Sequence, residues 1–125
     1  MTEPKPNVTM LMLVLSDNEF INDTLNSIKY QTYKNWELII GINRLLINSS
    51  IYKIVKKYEI DDVRIRVLDF FETNNNIDML NDMIKHCKTE WLSILNIGDK
   101  WLPKKIENQI CYISDYDVIG CQCKY

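Results

Sequence analysis

The sequence predicts an α/β domain, a Rossmann-like, mostly parallel sheet with helices on both faces. Three observations predict it. Short apolar runs alternate with stretches that repeat at helical spacing, which is how parallel strands and their crossover helices read. One of the runs, at 8–15, is apolar on both faces, as a strand covered from both sides requires, and 36–42 is a second apolar run. The 125 residues suffice for one domain and are too few for two, so the whole of 1–125 is read as one unit.

Taken in order, residues 1–7 are polar, carry two prolines and form a lead-in. Residues 8–15 make a central strand, ended by Ser16-Asp17-Asn18, residue types that cap a following helix. Residues 19–30 form an amphipathic helix with Phe20, Ile21, Leu25 and Ile28 inward. After a turn at 31–35, residues 36–42 form the second strand and 43–50 a loop. Residues 51–58 are a short helix with Ile51, Ile54, Val55 and Tyr58 inward, broken by Asp61-Asp62. Residues 63–68 alternate apolar and polar, as an edge strand with one wet face does. A loop at 70–76 leads to a helix at 77–88 with Ile77, Leu80, Ile84 and Cys87 inward. The run from Trp91 reads as a buried strand that stops at Gly98-Asp99. A helix follows from Pro103, suited to a first helical turn, to about Ser114, and a last strand spans 117–123. In such a sheet ligands bind beyond the carboxyl ends of the strands, which puts Asp99 where chemistry is done.

Bulk properties exclude several classes. The net charge is −2 with acids and bases interspersed, so no basic stripe marks a nucleic-acid surface. The apolar run at 8–15 is far shorter than a membrane span, and its polar approach lacks the basic start of a signal peptide. The expected location is cytoplasmic. Asn-x-Ser/Thr matches at Asn7, Asn22 and Asn48 are chance in an Asn-rich chain. The four cysteines, Cys87, Cys111, Cys121 and Cys123, form no Cys-x-x-Cys pair, and free thiols in a reducing compartment account for them. His86 is a lone helix histidine without a visible partner.

Particular stretches resemble the family 2 glycosyltransferases. Val8 to Met12 with the helix after it, then Gln31-Thr32-Tyr33-Lys34-Asn35-Trp36-Glu37-Leu38-Ile39-Ile40, is similar to that family's opening. Arg64-Ile65-Arg66-Val67 matches its third strand, and Asn81 falls where an Ala-Arg-Asn helix carries its Asn. Trp91 to Lys105 resembles Tyr-Ile-Ala-Phe-Leu-Asp-x-Asp-Asp-x-Trp-x-Pro-x-Lys, and Tyr116 to Cys121 the strand beyond. The resemblance runs through nearly the whole chain in order. It implies the A-type glycosyltransferase fold, its nucleotide-binding half, and transfer of a sugar from a nucleotide-sugar with Mg²⁺ or Mn²⁺. It also implies a later acceptor half that the chain lacks, which makes the chain a fragment, one piece of a larger protein with further domains, or a relict that has lost transfer activity.

The site residues implied by the resemblance are Ser16, Asp17, Asn43, Arg44, Asn81 and Asn96 for the nucleotide-sugar and Asp99 for Mn²⁺ or Mg²⁺; none is assigned as the catalytic base. The chain departs from the pattern at several of these places. Leu13-Val14-Leu15-Ser16 replaces Pro-Thr-Tyr-Asn, Ile42-Asn43-Arg44-Leu45 replaces Asp-Asp-Gly-Ser, Leu80 replaces the Arg of Ala-Arg-Asn, and Asn75 stands at a glycine position. Asn96-Ile97-Gly98-Asp99 replaces Asp-x-Asp-Asp and keeps its last acid. Each residue also has a plainer role. Asp99 serves as a turn or capping acid, Asp17 and Asn18 as helix caps, and Asn43, Arg44, Lys104 and Lys105 as solvated groups; Trp36 and Trp101 serve as core aromatics. Two alternatives to an enzyme stay open: a non-catalytic binding or structural module of the same fold, and a phosphoacceptor receiver domain using Asp69.

Overall fold

A computed structural model describes residues 8–70, 76–87, 89 and 91–110. The elements are β1 (Val8–Val14), α1 (Ile21–Lys29), β2 (Trp36–Asn43), a 3-10 turn (Arg44–Leu46), α2 (Ser50–Asp61), β3 (Ile65–Phe70), α3 (Asn76–Lys85), β4 (Trp91–Ile94) and α4 (Lys105–Ile110). The strands form one parallel sheet in the order β3-β2-β1-β4. Val8 pairs with Trp36 on one side and with Trp91 on the other, so β1 is central, as its two apolar faces require. The reversal of strand order beside β1 is the switch point at which such sheets bind ligands. The expected strand at 117–123 and the end of the last helix lie outside the described residues.

The period-2 alternation of each strand divides the core into two layers. Met10, Met12 and Val14 with Leu38, Ile40, Ile42, Ile65 and Val67 face α1, α2 and Ile106 of α4. Leu11 and Ile39 face α3, where Met83 is buried against them with Leu13, Leu68, Leu80 and Cys87 at the margin.

Four expectations are corrected. Phe20 is half exposed, because α1 begins after it and its inward stripe is Ile21, Thr24, Leu25 and Ile28. On α3 the buried residues are Met79 and Met83, while Ile84 is 40% exposed; the stripe is rotated by one residue, with flexible methionines filling the layer. Strand β3 starts at Ile65 and extends to Phe70; Val63 sits in the preceding turn and is exposed. Leu92 and Ile94 of β4 are each 41% exposed: they share the face of Thr9 and Leu11, where α3 packs mainly over β1 and β2, while Ser93 and Leu95 on the opposite face are buried.

Candidate functional site at the carboxyl edge of the sheet

Parallel strands deliver their following loops to one edge. Here that edge gathers Leu15 to Phe20 after β1, Asn43 to Ser49 after β2, and Leu95 to Lys104 after β4. Ser16 and Asp17 thus stand between Asn43 and Arg44 on one side and the turn at 96–99 on the other. Asn81 lies apart from them, exposed on the second turn of α3, across the sheet from α1.

The first loop is built from side-chain bonds to backbone amides. Asn18 Oδ1 accepts from the Phe20 N–H at 2.8 Å, just ahead of α1. Asp17 Oδ1 accepts from the Ile51 N–H at 3.2 Å, in the first turn of α2. Asn18 thus shapes the turn before α1 and does not cap it, since the N-cap position is Phe20 and has no side-chain cap, while Asp17 caps a helix 34 residues away, not the one that follows it. Its negative charge opposes the positive end of the α2 dipole. Ser49 supplies the local cap of α2, its hydroxyl accepting from the Tyr52 N–H at 3.4 Å. Between this loop and α2 is an open cleft of about 270 Å³, with Asp17, Asn18, Glu19 and Ser50 at its rim and Ile21, Ile51 and Ile54 lining it. Asn43 Oδ1 accepts from the Leu45 N–H at 2.8 Å and starts the 3-10 turn that Arg44 opens.

The β4 turn closes on itself. The Asp99 N–H donates to the Asn96 carbonyl at 3.0 Å, and Asp99 Oδ2 accepts from the Asn96 N–H at 3.2 Å. Gly98 has φ +103°, a conformation open to glycine and strained for other residues. The half-buried Asp99 is therefore a turn acid rather than the cap of α4.

Sequence reasoning missed how α1 holds this loop. Thr24 Oγ1, fully buried, accepts from the Gly98 N–H at 2.8 Å. Gln31, also fully buried, donates through Nε2 to the Leu102 carbonyl at 2.6 Å and to the Ser27 carbonyl at 3.2 Å, while Oε1 accepts from the Ile106 N–H at 3.0 Å. The Thr32 N–H donates to the Pro103 carbonyl at 2.8 Å, and the Thr32 hydroxyl to Glu107 at 2.7 Å. The Gln-Thr-Tyr and Trp-x-Pro-Lys stretches are thus two halves of one joint. The available signal was a polar residue, Thr24, at an inward position of an apolar stripe.

Trp36 and Trp101 are buried core residues, each with a cation over its ring, Arg64 on Trp36 and Lys105 on Trp101, both at 3.9 Å. Asp69, at the carboxyl end of β3, accepts from the Tyr52 hydroxyl at 2.8 Å. Burial pushes the Cys87 thiol above its ordinary range, which suits a packing residue and not a nucleophile. Among the described residues, no three His, Cys, Asp or Glu side chains come together as a metal site.

An open parallel sheet with polar loops collected at the carboxyl edge of its central strands defines the α/β ligand-binding class. Comparison with known proteins makes the class specific. The model of the family described as Glycosyl transferase family 2 matches residues 11–125, and the chain belongs to that family. It is 26% identical over 115 residues to the putative teichuronic acid biosynthesis glycosyltransferase TuaG of Bacillus subtilis, covering 92% of this chain and 45% of the relative. It is 27% identical over 103 residues to the Escherichia coli UDP-Glc:alpha-D-GlcNAc-diphosphoundecaprenol beta-1,3-glucosyltransferase WfgD, covering 82% of this chain and 39% of that one. The chain spans less than half the length of these curated relatives. Among solved structures, S. aureus TarS 1-349 in complex with UDP superposes with a TM-score of 0.77 at 16% identity, covering 95% of this chain and 38% of that chain. The Pyrobaculum calidifontis mannosyltransferase PcManGT, in complex with GDP-Man and Mn²⁺, gives 0.71 at 18% identity, covering 92% and 34%. The fold is that of the A-type glycosyltransferases. Among the described residues no helix is long and apolar enough to cross a membrane.

Proposed function

We propose that this chain is the nucleotide-binding half of a family 2 glycosyltransferase and takes the nucleotide part of a nucleotide-sugar at the carboxyl edge of β1, β2 and β4. One observation carries the reading: in a member of this family, adjacent strands bring Ser16 and Asp17, Asn43 and Arg44, and the turn at 96–99 to a single edge. The UDP and GDP-Man complexes of the structural neighbours support a nucleoside diphosphate as the ligand. Asn96 would accept a ribose hydroxyl through its amide oxygen, and Arg44 would supply charge toward phosphate. The bond from Leu45 to Asn43 Oδ1 leaves the Asn43 amide nitrogen as the donor a ligand meets. Asn81, exposed on α3, is kept as an outer contact.

Asp99 would hold Mn²⁺ or Mg²⁺ through one carboxylate. A bound divalent ion there supplies charge stabilisation to a departing diphosphate. The turn motif is read as degenerate, with one acid in place of three. We therefore assign donor binding to this chain and leave transfer to a longer protein that completes the acceptor side. A non-catalytic module is the second reading, favoured because the two carboxylates assigned to the ligand already serve the fold: Asp17 caps α2 and Asp99 closes its own turn.

Thermal-shift and calorimetric titrations with UDP and GDP, with and without Mn²⁺, decide between them. A ligand that binds only the folded state stabilises it according to its concentration over the dissociation constant. A shift that grows with Mn²⁺ and loses that increment in Asp99→Ala supports the donor site. No shift at millimolar nucleotide leaves the module reading.

A further inference from the structure

We propose that Thr24 is a positioning residue for the turn at 96–99, acting through the Gly98 amide; this rests on reading Asp99 as the carboxylate that meets the cation. The turn's other two hydrogen bonds, Asp99 N–H to the Asn96 carbonyl and Asn96 N–H to Asp99 Oδ2, are internal. They fix its shape and say nothing of where it sits. Its strand side is fixed one residue earlier, where the Leu95 N–H donates to the Leu11 carbonyl at 2.9 Å. Its helix side is held by Ile97, which packs against the core layer that contains Ile21, Leu25 and Ile28 of α1, and, among the described residues, by two polar contacts. One is the 2.8 Å bond from Gly98 to the fully buried Thr24 hydroxyl. The other is a Lys100–Asp23 ion pair at 3.9 Å between exposed side chains, which water screens and which holds little. Packing of Ile97 is non-directional, so the Thr24 bond is the directional tie that orients the turn, and with it the Asp99 carboxylate, against α1.

The position of Thr24 supports this assignment. It stands in the buried stripe of α1 with Ile21, Leu25 and Ile28, where an apolar residue would pack equally well. A hydroxyl there meets a need of the turn and not of the core. Gly98 is itself exposed, so an N–H released from Thr24 finds water by a small outward movement. Loss of the hydroxyl thus moves the turn and spares the fold. Valine keeps the branched shape of threonine and removes the acceptor; serine keeps the acceptor and drops the methyl.

The test uses ¹⁵N-labelled wild type, Thr24→Val and Thr24→Ser. Amide hydrogen exchange is followed without ligand, and UDP affinity is measured by calorimetry with and without Mn²⁺. In Thr24→Val, Gly98 exchanges at least tenfold faster, beyond any change at Leu11 and Met12 in β1. The Mn²⁺-dependent gain in UDP affinity falls at least fivefold, metal-free affinity holds, and Thr24→Ser restores both. Unchanged exchange at Gly98, or exchange that rises only in step with β1, overturns the positioning role. So does a Mn²⁺-dependent gain that survives release of the turn. A wild-type chain that binds neither UDP nor GDP overturns the donor-site reading and the ligand role of the turn with it.

Discussion

Replacing Gln31 with leucine should be among the most damaging near-isosteric changes in this chain. The side chain is fully buried and makes three hydrogen bonds, each to a backbone group of another residue. The Ile106 N–H, in the first turn of α4, loses its acceptor in a buried setting, a loss of about 2 kcal/mol. The Leu102 and Ser27 carbonyls lose a donor; Leu102 is exposed and its carbonyl can turn to water, so the pair adds about 1 kcal/mol. The sum is about 3 kcal/mol, a large share of the roughly 5–15 kcal/mol that holds a domain folded. With an unfolding entropy of about 2.1 cal/mol/K per residue over 125 residues, Tm should fall by about 11 °C. Scanning calorimetry of Gln31→Leu measures the fall, and exchange at the Ile106 amide locates it. A fall under about 4 °C, with Ile106 still protected, would refute the claim that this side chain joins α1 to α4.

Other outcomes follow from named contacts. Arg64 hydrogen-bonds the Asp62 carboxylate at 2.8 and 3.0 Å and holds its pKa below the ordinary 3.8, against the opposing effect of burial. A depressed folded pKa means the unfolded chain binds the proton more readily. This contribution is complete above the unfolded value and is lost as pH falls through the folded one. Urea midpoints measured downward from about pH 4 should show this acid loss, and Asp62→Asn should flatten it. Asp17→Ala should cost about 1 kcal/mol by uncapping α2, with Asp17→Asn nearly neutral. A drop in UDP affinity without loss of stability would instead make Asp17 chiefly a ligand contact.

What could be read from the sequence was what local periodicity encodes. Apolar runs located β1 and β2, and a helical repeat placed Ile51 and Val55 inward on α2. The Gly98-Asp99 signal located a turn after β4, but the strand does not reach it: β4 ends at Ile94, four residues before Gly98. Long-range hydrogen bonds have no period. Nothing near Asp17 announces that its carboxylate serves α2, and Gln31 in a polar turn gives no sign of being fully buried. Helix faces were legible only to within one residue, because Met79 and Met83 fill space as well as the branched Ile84 that a hydropathy pattern favours. The joint between Gln31-Thr32 and Leu102-Pro103 was visible as two motifs and became one object only in three dimensions.

Gly98 also bears on the history of the turn. A Cβ placed there would meet nothing within 4 Å, so room is not what keeps a side chain away. The backbone is: at φ +103° any L-residue carries strain on the order of 1–3 kcal/mol. An acid introduced at 98 would do best if the turn rewound, and rewinding would draw the 98 N–H away from Thr24. An acid at 98 therefore either strains the turn or loosens it from α1, whereas an acid at the exposed Asn96, whose bonds in the turn are made by its backbone, would do neither.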